Sequence, residues 1–194
     1  MTHSTSPDTA VPFLRISVTS EFETVDNSLI GSVYRPKPAD GFHSIGDYTQ
    51  GNNQPSGLPV VTLRAERDDA ERPLLVRPTT YAFTAVLRQV GEATQLKTWL
   101  PIPPPGYVPL GMVAAVGPSG PSDPPSIDLV RCLRFDFATP APISEVWRTE
   151  LPGLSDGVFR IDQTHTLWVF AEGRRDGKTH NKPPAYIPRG LGDS

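Results

Sequence analysis

A fourteen-residue segment is written twice in this chain. Tyr34-Arg-Pro-Lys-Pro-Ala-Asp-Gly-Phe-His-Ser-Ile-Gly-Asp47 recurs 65 residues later as Trp99-Leu-Pro-Ile-Pro-Pro-Pro-Gly-Tyr-Val-Pro-Leu-Gly-Met112. Pro36/Pro101, Pro38/Pro103, Gly41/Gly106 and Gly46/Gly111 are identical, while Tyr34/Trp99, Phe42/Tyr107 and Ile45/Leu110 keep their aromatic or aliphatic character. A fixed internal period means a supersecondary unit that buries its apolar face only against its own copies.

The prolines and glycines, 23 and 16 of 194 residues, fall between short apolar runs: Leu58 to Leu63, Tyr81 to Leu87, Ile127 to Phe137 and Leu167 to Ala171. Proline between β-prone runs marks turns and strand ends, so the expectation is an all-β chain of one domain. The one acidic stretch with helical propensity, Ala65 to Arg72, reads as a charged hairpin or a single turn.

A worn third copy follows the first two. Phe159 in Asp156-Gly-Val-Phe-Arg-Ile161 lies 60 residues after Trp99, and Leu167 to Ala171 falls near the place of the Leu110 strand. The approach segments Tyr81 to Arg88 and Ile143 to Arg148 align at the same offset, Val86 with Val146 and Arg88 with Arg148. Three units are expected, over about 11–75, 76–137 and 138–188, between tails at 1–10 and 189–194. Each cannot bury its face alone, which predicts a β-prism of three antiparallel sheets with pseudo-threefold internal repeats; a β-sandwich or barrel is the alternative.

The string Trp99 to Gly111, with Pro118-Ser119 and Val130-Arg-Cys132, resembles the family of vacuolar protein sorting-associated protein 62. Tyr34 to Phe42, Ile45-Gly46 and Gln50 resemble that family's other repeat, and the similarity runs over roughly Ile30 to Ile187. The family's repeat is similar to a β-prism module associated with multivesicular-body sorting subunits and with some membrane-attack/perforin toxins. The resemblance implies a prism fold and a binding role, with no catalytic residues to carry over.

The residues themselves point the same way. Gly41 and Gly106 precede an aromatic residue after a proline run, which suits a turn with positive φ rather than a phosphate loop. His3, His43, His165 and His180 have no ligand spacing, so neither a metal nor any other cofactor is expected. No nucleophile motif is written, and the expectation is a non-enzymatic module. Cys132, the lone cysteine, sits in an apolar run as a small buried hydrophobe. No charged-then-apolar leader follows Met1 and no long apolar span occurs, so the cytoplasm is the default location, with leaderless secretion as the other route.

Net charge is −3, which argues against nucleic acid as a partner. The charge is uneven: Gly173 to Arg189 holds five bases against Asp176 alone, a local +4, leaving −7 on the rest. Arg174, Arg175, Lys178 and Lys182 therefore form the candidate site for an anionic membrane surface or ligand. Asp47, Tyr48, Gln50, Asn52 and Asn53 are a candidate glycan site, because amides and a carboxylate share hydroxyl hydrogen bonds while a ring packs on the sugar. A protein partner is a third reading. It would be reached through Pro104-Pro-Gly-Tyr107 or Pro183-Pro-Ala-Tyr186, or as the targeting component of a toxin. Oligomeric state is not legible.

Overall fold

The computed structural model describes residues 12–52, 57–149, 156–171 and 183–191. The first unit is β1 (Phe13–Thr19), β2 (Phe22–Asp26), β3 (Ser32–Pro36), β4 (His43–Ser44), β5 (Tyr48–Gln50) and β6 (Val60–Glu66). The second is β7 (Leu75–Val76), β8 (Thr80–Gly91), β9 (Thr94–Ile102), β10 (Tyr107–Val108), β11 (Val113–Pro118) and β12 (Cys132–Arg134). The third is β13 (Ala138–Pro140), β14 (Ile143–Arg148), β15 (Asp156–Ile161), β16 (Leu167–Ala171) and β17 (Tyr186–Pro188). Among the described residues there is no α-helix, only a 3-10 turn at Phe135–Phe137.

Strand pairing repeats unit by unit. One sheet in each unit joins its second and third strands to a further one, the fifth strand in the first two units and the fourth in the third: β2-β3-β5, β8-β9-β11 and β14-β15-β16. The other joins the first and last strands and, in the first two units, the short fourth: β1-β6-β4, β7-β12-β10 and β13-β17. The chain is thus an all-β prism with pseudo-threefold repeats, its faces stacked in two tiers.

Each tier has its own core. Val33, Leu87, Leu96, Met112, Trp147, Val158 and Trp168 from all three units fill the upper tier. Ile45, Leu63, Val108, Leu110, Leu133 and Ala138 fill the lower, with Leu14 and Ile16 of β1 packed against them. At about 1.5–3 kcal/mol per buried large aliphatic or aromatic side chain, these shared cores are what holds the units together.

Register fixes the equivalences. Tyr34 faces Thr24 and Tyr48, Trp99 faces Phe83 and Val113, and Phe159 faces Glu145 and Trp168. A β-bulge follows at the same place each time, between Thr24 and Asp26, Phe83 and Ala85, and Glu145 and Trp147. The approach strands therefore align 62 residues apart, Val86 with Arg148, and not 60 as the sequence suggested. A slip of two residues keeps every side chain on its face, so apolar alternation does not reveal it.

Other expectations shift at their edges. The boundary expected after residue 75 falls inside β7. The long run to Phe137 yields only the three-residue β12, followed by the 3-10 turn. Ala65 and Glu66 end β6, and the turn after them closes when the Asp68 carboxylate accepts the Leu74 N–H at 2.7 Å. The expected tail at 1–10 lies outside the described residues. At the other end, Arg189 is still bonded, its N–H donating to the Phe137 carbonyl at 2.9 Å.

Where the tiers meet, the units touch at one point. The Asp47 N–H donates to the Met112 carbonyl at 2.8 Å, Met112 N–H to Leu167 at 2.9 Å, and Leu167 N–H back to Asp47 at 2.6 Å. This closed ring of three bonds marks the pseudo-threefold axis. The residue preceding each donor is Gly46, Gly111 or Thr166. A Cβ on Gly46 would stand 2.8 Å from the Gly111 Cα, and one on Gly111 would stand 2.7 Å from the Thr166 Cβ. Only one side chain fits there, and Thr166 supplies it, its hydroxyl donating to the Leu110 carbonyl at 2.6 Å. Gly41 and Gly106 serve the other purpose, with φ of 77° and 86°.

A second cyclic contact reinforces the first: β5 lies against β14, β11 against β2, and β16 against β8. Gly111→Ala is expected to cost about 2–3 kcal/mol, because the added methyl meets backbone and a fixed Thr Cβ. Gly106→Ala, with open space but positive φ, is expected to cost about 1 kcal/mol. Urea unfolding of both variants checks the order; equal losses would contradict the axis as the tighter constraint.

Candidate functional site

The upper ends of β3 and β5 meet where Ser32 faces Gln50, those of β9 and β11 where Thr94 faces Pro118, and those of β15 and β16 where Asp156 faces Ala171. Hairpin tips and the long loops of all three units therefore leave the prism at one pole. Loops on a rigid scaffold are where binding residues collect.

The best-defined feature of this pole is the tip 27–31 between β2 and β3. Leu29 and Ile30 are 82% and 54% exposed. Everything beneath them is fixed. The Ser28 hydroxyl donates to the Gly31 carbonyl at 2.8 Å, and the Ser32 hydroxyl donates to Asn27 Oδ1 at 2.9 Å. From the second unit, Arg88 pairs with the buried Asp26 and donates to the Asn27 carbonyl at 2.9 Å. From the third unit the Trp147 indole lies over Gly31, where a Cβ would approach Cε2 to 2.2 Å. The Trp147 Nε1 in turn donates to Thr49 Oγ1 at 2.8 Å. Two aliphatic side chains are thus held in water by contacts to both neighbouring units.

Sequence reasoning read Ser28 to Tyr34 only as the lead into a strand. The available signal was a pair of aliphatics at a turn, just before Gly31, where a two-residue hairpin would place Asn, Asp or Gly.

The candidate glycan residues lie elsewhere than expected. Asp47, Tyr48 and Gln50 are 1%, 0% and 6% exposed. Asp47 accepts from Arg35 Nε and Nη2, both at 3.1 Å, and from the Ala114 N–H at 2.7 Å. Burial pushes its carboxyl upward, and the Arg35 charge and these hydrogen bonds work against that. Tyr48 stacks on Phe22 at 5.2 Å, and its hydroxyl donates to Gln50 Oε1 at 2.7 Å. Gln50 Nε2 donates to Asn52, which is exposed. A sugar cannot reach the first three, because Arg35 and the second unit's Ala114 enclose Asp47, and Phe22 of the same unit and Arg160 of the third enclose Tyr48. Asn53 lies outside the described residues.

Arg174, Arg175, Lys178 and Lys182 also lie outside the described residues; they belong to the connection from β16 to β17. The tyrosines of the two proline motifs are used structurally. The Tyr107 hydroxyl donates to the Pro73 carbonyl at 2.7 Å, and Tyr186 pairs with β13 and packs edge-on against Phe135. His165 binds the Pro59 carbonyl through Nδ1 at 2.7 Å. Among the described residues no group of three His, Cys, Asp or Glu side chains could hold a metal ion, and no helix is long and apolar enough to cross a membrane.

Cys132 is buried, and its thiol is pushed up to about 12 by burial, with Arg131 opposing. The thiolate is the reactive form, so at pH 8 iodoacetamide is expected to leave Cys132 unmodified in the folded protein and to alkylate it in urea. Mass spectrometry reads both; rapid labelling of the folded protein at pH 8 would contradict the burial.

Fold and interior together define a triplicated β-prism module whose repeated motif builds the scaffold. The family model described as vacuolar protein sorting-associated protein 62 matches residues 12–164, and the chain belongs to that family. No curated protein matches the chain. Among solved structures, it is similar to GNIP1Aa from Chromobacterium piscinae, with a TM-score of 0.66 and 16% identity over 88% of this chain. The match spans only 34% of that protein's chain, and at this identity it is a likeness of fold. Family and fold fit a non-catalytic β-prism module.

Proposed function

We propose that this chain is a binding module that attaches to anionic membrane surfaces through the pole carrying Leu29 and Ile30. The observation that carries the reading is the tip itself. Loop tips are ordinarily polar, whereas this one presents two aliphatic side chains on a base clamped by Arg88 and Trp147. Transfer of each side chain from water to an apolar phase is worth about 1.5–3 kcal/mol, and the fixed base limits the ordering cost of insertion.

The basic segment supplies the second contact. Arg174, Arg175, Lys178 and Lys182 follow Ala171, the last residue of β16, whose end lies at this same pole. At about 1 kcal/mol per base near an anionic bilayer, four bases add a few kcal/mol. Neither contribution alone gives firm attachment, and the two together do.

Cosedimentation with phosphatidylcholine vesicles, with and without phosphatidylserine, separates the two terms. Exchanging the four bases for glutamine is expected to remove the preference for phosphatidylserine and the sensitivity to salt. The double change Leu29→Ser, Ile30→Ser is expected to weaken binding by about tenfold or more at any salt. Wild-type binding to both vesicles that neither variant alters would overturn the reading.

A further inference from the structure

At one position of the middle strand, only the second unit carries a charge. Register places Lys97 of β9 where the first unit has Ser32 and the third Gly157. Its side chain runs beneath the strap 118–123 that leaves β11, and the residue is 2% exposed. Nζ donates to the Pro118 carbonyl at 2.6 Å, to the Gly120 carbonyl, and to Ser122 Oγ at 3.0 Å. All three ammonium hydrogens are used, every acceptor is neutral, and no carboxylate of the described residues pairs with it. A buried charge held only by neutral dipoles keeps much of its desolvation cost, which a nearby anion would offset.

Clefts open on both sides of the strap, of about 540 Å³ and 490 Å³, and both are lined by Lys97, Trp99, Pro121 and Ser122. The larger also has Asp123 on its wall, which repels anions. The smaller is walled by Phe83 and Val86, with the 53% exposed Phe83 ring edge-on to Trp99 at 5.6 Å. Its volume suits a small organic ligand. Ser122 accepts from Lys97, so its own hydroxyl hydrogen is directed away from the ammonium. Among the described residues that hydrogen has no acceptor.

We propose that the smaller cleft binds a small amphiphilic anion, an apolar body against Phe83, Val86 and Trp99 carrying one acidic group that faces Lys97 and the Ser122 hydroxyl. The anionic group receives the Ser122 hydrogen bond and compensates the buried ammonium, while the apolar body covers a ring that otherwise stands in water. This site is independent of the membrane reading, since it uses neither the tip nor the basic segment.

The test uses two fluorescent probes of similar shape, the anionic 1-anilinonaphthalene-8-sulfonate and the neutral N-phenyl-1-naphthylamine, titrated into the full chain. The sulfonate is expected to saturate at one site and to bind about tenfold more tightly than the neutral probe, the worth of one charge-assisted contact. Phe83→Ala is expected to weaken both probes, and Ser122→Ala the sulfonate alone, each by about fivefold or more, in variants that circular dichroism shows to be folded at the titration temperature. Equal affinity for the two probes, or sulfonate binding that Phe83→Ala leaves unchanged, would overturn the proposal.

Discussion

Three backbone hydrogen bonds around one axis decide how this chain is put together. Asp47, Met112 and Leu167 each give an N–H to the next unit and receive one from the last. A buried peptide group left without its partner costs about 1–3 kcal/mol, so no unit can be withdrawn without leaving two unmet groups at the centre. The backbones must approach closely for the ring to close, and that requirement explains Gly46 and Gly111. The cores of both tiers then pack around the ring: Ile45 and Leu110 directly below it, Met112 and Leu167 directly above.

Much of this frame was legible in the repeated segment. Its prolines and its Gly41/Gly106 pair announced turns, its apolar positions announced a shared core, and the degenerate third copy was found from Phe159. What the segment could not say was why each glycine is there. A glycine needed for positive φ and a glycine needed for backbone contact look alike in sequence; only the neighbouring unit distinguishes Gly46 from Gly41. The two-residue error in aligning β8 with β14 has a similar origin, because bulges change the count along a strand without changing which face is apolar.

The candidate sites were less legible, for a related reason. Asp47, Tyr48 and Gln50 have the composition of an exposed loop. They are buried because Asp47 is bonded to Ala114 of the second unit, Tyr48 packs on Phe22 of its own, and β5 lies against β14 and β15 of the third. Leu29 and Ile30 show the converse. They read as strand residues, yet stand in water because Arg88 and Trp147 from other units hold the turn below them. Burial in a triplicated fold is decided between units, so local polarity is a weak guide at every seam.

The ring also sets an order of events during synthesis. When the first two units have been made, the Asp47 N–H can find Met112, but the Met112 N–H and the Asp47 carbonyl both await Leu167. Two of the three bonds, and the Thr166 side chain that fills the axis, come from a stretch near the end of the described chain. The partly made protein is therefore open at its centre with two tiers of apolar surface uncovered. Closure comes in one late step, when the most divergent of the three repeats arrives.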